Sequence, residues 1–471
     1  MNPDEFRRQA HALADWMADY LRDVGQRRIV PDVSPGEIRR SLPAAPPEMA
    51  EPFELIAADF RERIMPGMTQ WNHPGWFGYF PANHSPPSIL AEMLVATLGA
   101  QCMSWQTSPA ATELEQVVME WLRRMLGFPA EFTGVIQDTA STATLVALLS
   151  ARDAATAVPS DHGAEDLSRL TVYTSTEAHS SVAKGARLAG YAPDRLRLIA
   201  VDDAYAMDPG RLDAAIGADL AAGLRPACIV ATIGTTSSTA VDPLRAIGGI
   251  ARRRGVWLHV DASYAGAAAI LPERRACFDG IELADSFVFN PHKWLLTNFP
   301  CSAYFVRDVP ALLRTFSTTP AYLQTAHDPD VVNYRDWGIQ LGRQFRALKL
   351  WFVIRSYGVE GLRAMLRHHI ALAASFRSWV EGEPGFVVTA PSPFGLVCFR
   401  HEPASLRGDS AAIDRWNREL LERVNAPGDV YLTHTVLGGR YTLRMAIGQW
   451  QTAESHVRRA WELIRGAARE A

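Results

Sequence analysis

A lysine placed directly after a strand-like apolar run is the first residue of this chain whose type and position could do chemistry. In SFVFNPHKWLLTNF, residues 286–299, Lys293 lies between His292 and Trp294. Burial of a lysine amine is costly because the charge loses its hydration. Two interpretations are open: the amine stays in water while its stem lies along Trp294, or the amine is a nucleophile for a carbonyl cofactor.

Other polar side chains also end strand-like runs. Thr139, Ala140 and Ser141 follow GVIQ, where backbone amides and hydroxyls at a helix start suit a dianionic phosphate or simply cap the helix. The ring of His179, which follows VYTSTEA, suits stacking on a planar cofactor, proton transfer or an ordinary core position. Asp261 ends VWLHVD and, if buried, needs a cationic partner, either a protonated pyridine nitrogen or an arginine.

Together these side chains meet the requirements of pyridoxal 5′-phosphate. That cofactor needs phosphate donors, a stacking ring, a carboxylate for its ring nitrogen and an amine for its aldehyde. Each residue has a plain structural explanation by itself, but all of them occur in one region of alternating strands and helices. We therefore predict that Lys293 reacts with the aldehyde and that Asp261 keeps the ring nitrogen protonated.

The elements that position these residues follow from the hydrophobic pattern between about residues 87 and 310. Strand-like runs alternate there with helical stretches such as TATLVALLSARDA and SVAKGARLAGY. This alternation predicts an α/β fold with a mostly parallel sheet covered by helices on both faces. Ligands gather at the carboxyl ends of such strands. The predicted strands lie in GVIQDTAS, LTVYTSTEAHSS, RLRLIAV, CIVATIGTTSS, VWLHVDASYAG and DSFVFNPHK.

Three domains are predicted along the chain. Residues 1–86 form an N-terminal arm, with an amphipathic helix over 3–24, a proline-rich extended connector and a second helical segment, EPFELIAADFRERIMPG. Residues 87–345 form the large cofactor-binding domain. Residues 346–471 form a smaller α/β domain, because FGLVCFR and YTLRMAIG read as strands between a long helix and a final helix.

Composition bounds the class of protein. The 471 residues are 48% hydrophobic and 21% charged, which is globular, and the net charge of −4 gives no pull toward nucleic acid or anionic membranes. The five cysteines contain no CxxC pair, which predicts a reducing cytoplasm and no structural metal site. A charged N-terminus and the lack of an apolar run near the roughly 20 residues of a membrane helix argue against export and membrane insertion.

Several motifs carry a resemblance that covers nearly the whole chain. They include MPGMTQWNHPGWFGYFP, GVIQDTASTATLVALLSAR, HVDASYAG and DSFVFNPHKWLLTNFPCSA. The sequence resembles the group II pyridoxal-phosphate decarboxylases, specifically the aromatic-L-amino-acid decarboxylases. The resemblance implies a fold type I enzyme, similar to aspartate aminotransferase. It also implies an obligate homodimer with active sites at the subunit interface and an N-terminal arm that wraps the partner subunit.

The resemblance also implies roles for individual residues. Lys293 matches the Schiff-base lysine, Asp261 the partner of the pyridine nitrogen, and His179 the ring-stacking histidine that contacts the substrate carboxylate. Tyr322, in TTPAYLQTAHDPD, matches a loop tyrosine that protonates the substrate α-carbon after carbon dioxide leaves. The remaining cofactor-site positions are Thr139, Ala140, Ser141, Thr236, Ser263, Asn290 and His292.

Substrate choice rests on a further set of matched positions. Glycine at Gly342 goes with indole or catechol substrates in relatives, and serine there with tyrosine or histidine. Ala82 replaces a common threonine, and Met103 replaces a common aromatic residue. Both differences weaken the case for a catechol substrate and leave tryptophan and phenylalanine as possible substrates. The predicted substrate residues, some of which could simply be core, are Trp71, Tyr79, Phe80, Pro81, Ala82, Met103 and Gly342.

These features predict decarboxylation of an aromatic L-amino acid, whether tryptophan, phenylalanine, DOPA or tyrosine, to its arylalkylamine. The first alternative is an aromatic acetaldehyde synthase. Related enzymes of that type typically carry phenylalanine at the position of Tyr322 or asparagine at the position of His179, whereas this chain has tyrosine and histidine there. The second alternative is a catalytically silent homologue. The presence of Lys293, Asp261, His179 and Tyr322 speaks against it, because a silent protein needs none of these four residues. A nicotinamide dehydrogenase is set aside because no GxGxxG motif follows any strand.

Overall fold

The computed structural model of the protein describes residues 1–156, 167–318 and 320–469. Its helices and strands follow one another along the chain much as the hydrophobic pattern predicts. The strands are β1 Thr133–Gln137, β2 Leu170–Ser175, β3 Leu196–Ile199, β4 Arg225–Thr232, β5 Trp257–Asp261, β6 Ser286–Phe289, β7 Ser302–Val306, β8 Phe386–Val388, β9 Leu396–His401, β10 Thr433–Leu437 and β11 Arg440–Ala446. The α-helices are α1 Pro3–Asp23, α2 Glu37–Ser41, α3 Phe53–Asp59, α4 Pro86–Leu98, α5 Pro109–Leu126, α6 Ala140–Thr156, α7 Ser180–Leu188, α8 Pro209–Ala221, α9 Leu244–Arg254, α10 Pro291–Trp294, α11 Val309–Phe316, α12 Arg346–Gly382, α13 Ser410–Asn425 and α14 Glu454–Arg469.

The large sheet has seven strands in the order β1-β7-β6-β5-β4-β2-β3. β6, β5, β4, β2 and β3 pair in parallel, and the predicted mostly parallel sheet is therefore confirmed. β7 is antiparallel to both of its neighbours, with Tyr304 opposite Val135 and Val288. The sequence prediction did not identify β7, because its short apolar run follows the NPHKWLL stretch without a helix between them.

Helices cover both faces of this sheet. On one face, Val146 and Ala147 of α6 pack with Val288 and Tyr304. On the other, Ile247 of α9 packs in a cluster with strand residues such as Leu258 and Val260. Burial on both faces explains why β4 and β5 are almost continuously apolar rather than alternating.

A second, four-stranded antiparallel sheet lies in the C-terminal part, in the order β10-β11-β9-β8. Helix α12 connects the two parts. Its first half, including Leu350 and Val353, packs in the core of the large sheet, whereas Leu372 and Phe376 pack with the small sheet. Gly358 breaks this helix with a φ of 63°. The predicted boundaries at 86/87 and 345/346 fall at the starts of α4 and α12 and stay predictions.

The N-terminal arm contains the two predicted helical segments, α1 and α3. The prediction that the proline-rich connector between them is extended is wrong in part, because α2 forms within it. Packing explains this short helix: a Cβ atom on Gly67 would lie only 2.7 Å from the Ile38 side chain, so the two segments touch closely. Among the described residues, every helix is too short or too polar to cross a lipid bilayer.

Candidate active site

The loops at the carboxyl ends of β1, β2, β4, β5 and β6 surround a cavity of about 170 Å³. All ten residues predicted to contact the cofactor line this cavity, and Phe80 lines it as well. The sequence analysis missed four more lining residues, Ser181, Thr232, Gly234 and Tyr264. The cavity residues predicted from the sequence are Thr139, Ala140, Ser141, His179, Thr236, Asp261, Ser263, Asn290, His292 and Lys293.

Lys293 lies in α10, the single helical turn that follows β6. Its Nζ atom is 5.8 Å from the centre of the Phe80 ring. Within the described ranges the amine makes no hydrogen bond or ion pair. Burial lowers the pKa of Lys293, and the nearby Asp261 carboxylate opposes that shift only in part. Burial therefore shifts the protonation equilibrium toward the neutral, nucleophilic amine relative to a lysine in water.

The neighbouring tryptophan does not support a solvent-facing lysine. Trp294 is 0% exposed. Its ring stacks on Tyr264 at a centroid distance of 4.8 Å, and its Nε1–H donates to His369 Nδ1 at 3.1 Å. Tyr264 stacks in turn on Phe80 at 3.9 Å. The indole thus belongs to an aromatic stack in the core, which argues against the interpretation that the Lys293 stem lies along Trp294 while the amine stays in water.

Asp261 ends β5 and holds a carboxylate that is only partly satisfied by the protein. The Ser263 backbone N–H donates to Asp261 Oδ1 at 2.9 Å, and the Ser263 hydroxyl donates to the same oxygen. Oδ2 accepts no hydrogen bond from any described residue, and no described lysine or arginine forms an ion pair with it. A buried carboxylate with a free oxygen beside a cavity fits a protonated ring nitrogen. The arginine alternative is not what the structure contains.

His179 is the N-cap residue of α7. Its Nδ1 accepts hydrogen bonds from the Ser181 backbone N–H at 3.2 Å and from the Ser181 hydroxyl at 2.8 Å. Because Nδ1 acts as an acceptor, the neutral ring carries its proton on Nε2. Loss of hydration lowers the pKa of His179; the Lys293 charge adds to this effect and Asp261 opposes it. The ring is therefore held neutral, in one tautomer, beside the cavity.

The start of α6 offers donors for an anionic group. Thr139 caps this 17-residue helix, since its hydroxyl accepts from the Thr142 backbone N–H at 3.4 Å. The first amides of the helix have no acceptor inside it. Asn290 Oδ1 accepts from the Ser302 hydroxyl at 2.6 Å, which leaves the Asn290 amide hydrogens for another partner. The Thr139 hydroxyl therefore caps the helix, and this capping is compatible with a phosphate bound by the remaining amides.

Two further cavity residues are fixed by backbone contacts. His292 is buried, and its Nδ1 lies 2.7 Å from the Cys301 carbonyl oxygen. Burial first, and then the Lys293 charge, lower the pKa of His292 to about 3. The Thr236 carbonyl accepts from the Arg444 guanidinium at 2.8 Å, and that guanidinium lies 5.3 Å from the Phe80 ring. The sequence analysis missed Arg444, although an arginine inside the apolar run YTLRMAIG was a signal.

The predicted substrate and loop residues are less well gathered. Apart from Phe80, none of the predicted substrate residues lines the cavity of a single chain. Trp71 and Tyr79 stack on each other, 5.7 Å apart. Gly342 is exposed, and Tyr322, on the turn Ala321–Leu323, is 79% exposed and does not line the cavity.

The remaining predicted substrate residues lie outside the lining too. Pro81 is buried and lies close to Gly448, where an added Cβ would meet it at 2.8 Å. Ala82 is half-buried. The Met103 carbonyl accepts from the Arg335 backbone N–H at 2.8 Å. The substrate assignments stay predictions.

The cavity therefore fits pyridoxal phosphate on its own geometry. Four groups face one space: the Lys293 amine and one oxygen of Asp261, both without a hydrogen-bond partner among the described residues, the neutral His179 ring, and the amides at the start of α6. These four features correspond to the aldehyde, the ring nitrogen, the ring face and the phosphate of the cofactor. Among the described residues, no three His, Cys, Asp or Glu side chains are grouped so that they could hold a metal ion.

Known proteins resemble the chain over its whole length. Residues 35–402 match the family model described as the pyridoxal-dependent decarboxylase conserved domain. The chain is 44% identical to an aromatic-L-amino-acid decarboxylase of Sus scrofa, covering 100% of this chain and 97% of the relative. It is 43% identical to a phenylacetaldehyde synthase of Arabidopsis thaliana, covering 99% and 96%. The crystal structure of Oryza sativa TDC with PLP and tryptamine superimposes with a TM-score of 0.97 at 40% identity, covering 100% of this chain and 99% of that one.

Proposed function

The chain belongs to the pyridoxal-dependent decarboxylase family, and on that premise we propose that it decarboxylates an aromatic L-amino acid to the corresponding arylalkylamine and carbon dioxide. It is a carboxy-lyase with the fold type I architecture, and its cofactor is pyridoxal 5′-phosphate. The observation that carries the proposal is the unpaired Lys293 amine facing the same cavity as the free oxygen of Asp261. The aromatic substrate is supported by relatives whose names include tryptophan and tyrosine decarboxylases.

The residues around the cavity divide the chemical work. When bound, pyridoxal phosphate supplies an electron-accepting ring for the electron pair left at the substrate α-carbon as carbon dioxide departs. Lys293 would bond to the aldehyde carbon of the cofactor, and Asp261 would keep a proton on its ring nitrogen. His179 would face the cofactor ring, and its Nε2–H would donate to the substrate carboxylate. The phosphate would be held by Thr139, Ala140, Ser141, Thr236, Asn290 and His292, and Ser263 fixes Asp261.

The last step of the proposed reaction needs a proton at the substrate α-carbon, and we assign its delivery to Tyr322. The competing function is that of an aldehyde synthase, which is favoured by the 43% identity to phenylacetaldehyde synthase. There one amino acid, one dioxygen and one water give aldehyde, carbon dioxide, ammonia and hydrogen peroxide. Two electrons pass from the substrate to dioxygen. The two functions differ in whether the α-carbon receives a proton or is oxidised.

A product assay tests this proposal. Cofactor-loaded enzyme is given L-tryptophan, L-phenylalanine, L-tyrosine, L-DOPA and L-histidine separately in air, and amine, aldehyde and peroxide are quantified. We expect amine and carbon dioxide in equal amounts, without peroxide. Aldehyde and peroxide in equal amounts would replace the proposal by the competing function. No turnover of any of the five would point to the silent homologue.

Gly342 is proposed to select between aromatic side chains. An added Cβ would lie 3.4 Å from Gln101 Nε2, which is an ordinary contact, so serine fits the backbone. Because Gly342 does not line the cavity of its own chain, this role requires that it faces the site of a second copy. We expect Gly342→Ser to lower kcat/KM for L-tryptophan by about tenfold, with a smaller loss for L-tyrosine, because one buried methylene-sized group costs about 1–3 kcal/mol. Equal losses for all substrates would contradict a selective role.

We propose a homodimer in which residues 1–86 wrap the partner. The exposed face of α4 is apolar, with Leu90, Met93, Leu94 and Leu98 all exposed. A largely apolar cavity of about 740 Å³ lies between this helix and the aromatic residues of the arm. Monomeric proteins rarely expose such continuous apolar surface, so a second copy is the fitting occupant.

We expect Leu94→Glu to weaken dimerisation by about thirtyfold, because a charge placed in an interface core costs about 2 kcal/mol or more. Leu220→Glu is the matched control, since Leu220 is 44% exposed and Leu94 is 46% exposed. Sedimentation velocity at several concentrations measures both variants. An unchanged dimer for Leu94→Glu, or equal weakening by Leu220→Glu, would contradict the assigned interface.

A cytoplasmic location is also part of the proposal. All five cysteines are free thiols, and four of them are buried. Buried thiols that form no disulfide suit a reducing compartment. Fractionation of cells that express the full chain would test this, and recovery in an oxidising compartment would contradict it.

A further inference from the structure

Asp328 is the centre of a hydrogen-bonded cluster close to Tyr322 in sequence. The Thr325 hydroxyl donates to Asp328 Oδ1 at 2.6 Å and the Thr325 backbone N–H to Oδ2 at 3.1 Å. Asn333 Nδ2 donates to Oδ1 at 3.0 Å, and Arg335 Nη2 lies 3.6 Å from Oδ2. We name Thr325, Asp328, Asn333 and Arg335 the Asp328 clasp.

The clasp is anchored in the body of the protein. Asn333 Oδ1 accepts from the Trp105 backbone N–H at 3.1 Å, and the Arg335 backbone N–H donates to the Met103 carbonyl at 2.8 Å. Asn333 and Arg335 are both buried. The His327 ring also meets the Trp105 ring edge-on, 5.0 Å away. The segment around Asp328 is thus tied at several points to residues 103–105.

The Tyr322 side chain has no such anchor of its own. Its ring makes no hydrogen bond or ring contact with any described residue, and its exposed turn ends two residues before Thr325. The place of Tyr322 therefore depends on where the chain is held on either side. On the C-terminal side, the Thr325 hydroxyl and backbone N–H hold the chain by donating to Asp328.

We propose that Asp328 is a positioning residue for the proton transfer at the substrate α-carbon, acting by fixing the C-terminal base of the segment that carries Tyr322. This inference rests on the proposed role of Tyr322. When the clasp is broken, Tyr322 is correctly placed in a smaller share of turnovers. Protonation of the α-carbon is then slower, and dioxygen oxidises this carbon in a larger share of turnovers, giving aldehyde, ammonia and hydrogen peroxide in place of amine.

A merely structural role for the clasp makes a different prediction. If the clasp served only the stability of the fold, its loss would lower thermal stability without changing which product forms. Hydrogen bonds from Thr325, supported by Asn333 and Arg335, hold the pKa of Asp328 below its usual value. The carboxylate is therefore charged at neutral pH in either case. The ratio of aldehyde to amine is the readout that separates the two roles.

The test compares Asp328→Ala and Thr325→Val with Asp330→Ala in the cofactor-loaded full chain. Asp330 is exposed, lies in the same short turn and makes no side-chain contact within the described ranges, so its removal is a matched loss of charge. We expect Asp328→Ala to lower kcat about tenfold and to raise the aldehyde-to-amine ratio about tenfold, because about 1.4 kcal/mol of positioning is lost. Thr325→Val should change both in the same direction by less, and Asp330→Ala should change neither.

The cofactor absorbance and KM for the amino acid should stay near those of the unaltered enzyme in all three variants. A wild-type product ratio in a folded Asp328→Ala protein would overturn the inference. If Asp328→Ala does not fold, a wild-type ratio in Thr325→Val would overturn it. Tyr322→Phe is run beside them: if it shifts the products while the clasp variants do not, only this inference fails. If none of them shifts the products, the role of Tyr322 fails with it.

Discussion

Replacing Lys293 by alanine is expected to abolish turnover, with a fall in kcat on the order of 10⁴-fold or more, as for loss of a covalent catalytic group. The variant should also lose the visible absorbance of lysine-bound cofactor. The physical reason is that Lys293 supplies the amine that we propose to bond the cofactor, and burial in the cavity lowers the pKa of that amine. A wild-type protein that has no visible absorbance and whose activity does not depend on pyridoxal phosphate would contradict the assignment.

The chain offers a sharp control for this prediction because it contains only three lysines, Lys184, Lys293 and Lys349. Lys184 is exposed on α7, and Lys349 forms a 2.8 Å ion pair with Glu92. Borohydride reduction of the loaded enzyme followed by peptide mass spectrometry should place the cofactor on Lys293 alone. Lys184→Ala should keep wild-type activity and colour. Label on Lys184 or Lys349 would contradict the prediction independently of any activity measurement.

The cavity residues were predictable because strand ends have a local signal. Asp261 ends a largely apolar strand and Lys293 follows the end of another by four residues, which predicts that both lie at the carboxyl edge of a parallel sheet, where such strand ends face one space. The strand periodicity therefore predicted both the sheet and the convergence of its polar ends. The chemistry was then limited by which residue types converge, without any knowledge of distances.

Arg444 was missed for the opposite reason. Its partners are the carbonyl oxygens of Thr236, Ser237 and Tyr79 and the hydroxyl of Thr433. Thr433 lies opposite Arg444 in the small sheet, whereas Tyr79, Thr236 and Ser237 come from distant stretches of chain that meet it only in the folded protein. An arginine in an apolar run signals a buried charge, but the sequence does not show which distant groups that charge contacts. The same limit applies to Gly342, because its proposed role requires contact with a second copy of the chain.

The aromatic stack shows how a single position can serve the fold and the site at once. Trp294, Tyr264 and Phe80 stack in series from the core to the cavity. Trp294 also donates to His369 of α12. The Trp294 side chain cannot move without disturbing the core, and it therefore fixes the backbone position of its neighbour Lys293. This rigid support explains why a short, four-residue helix can hold a reactive amine in place.

Tyr322→Phe is expected to change the product rather than only the rate. The substitution keeps the ring and removes the hydroxyl proton, so the α-carbon loses its proposed acid. We expect amine formation to fall about 100-fold, the usual contribution of a positioned acid or base, while aldehyde and peroxide become the main products in air. Carbon dioxide release should fall much less, because the bond to the carboxylate breaks before the proton is needed.

Two comparisons make this result decisive. Tyr357→Phe removes the hydroxyl of a half-buried tyrosine on α12 and should leave the products unchanged. Without dioxygen, Tyr322→Phe should form neither aldehyde nor peroxide, because the two substrate electrons then have no acceptor. An unchanged amine yield in air would remove Tyr322 from the reaction. His179, whose neutral ring carries its proton on Nε2 beside the cavity, would then be the acid to test by His179→Asn.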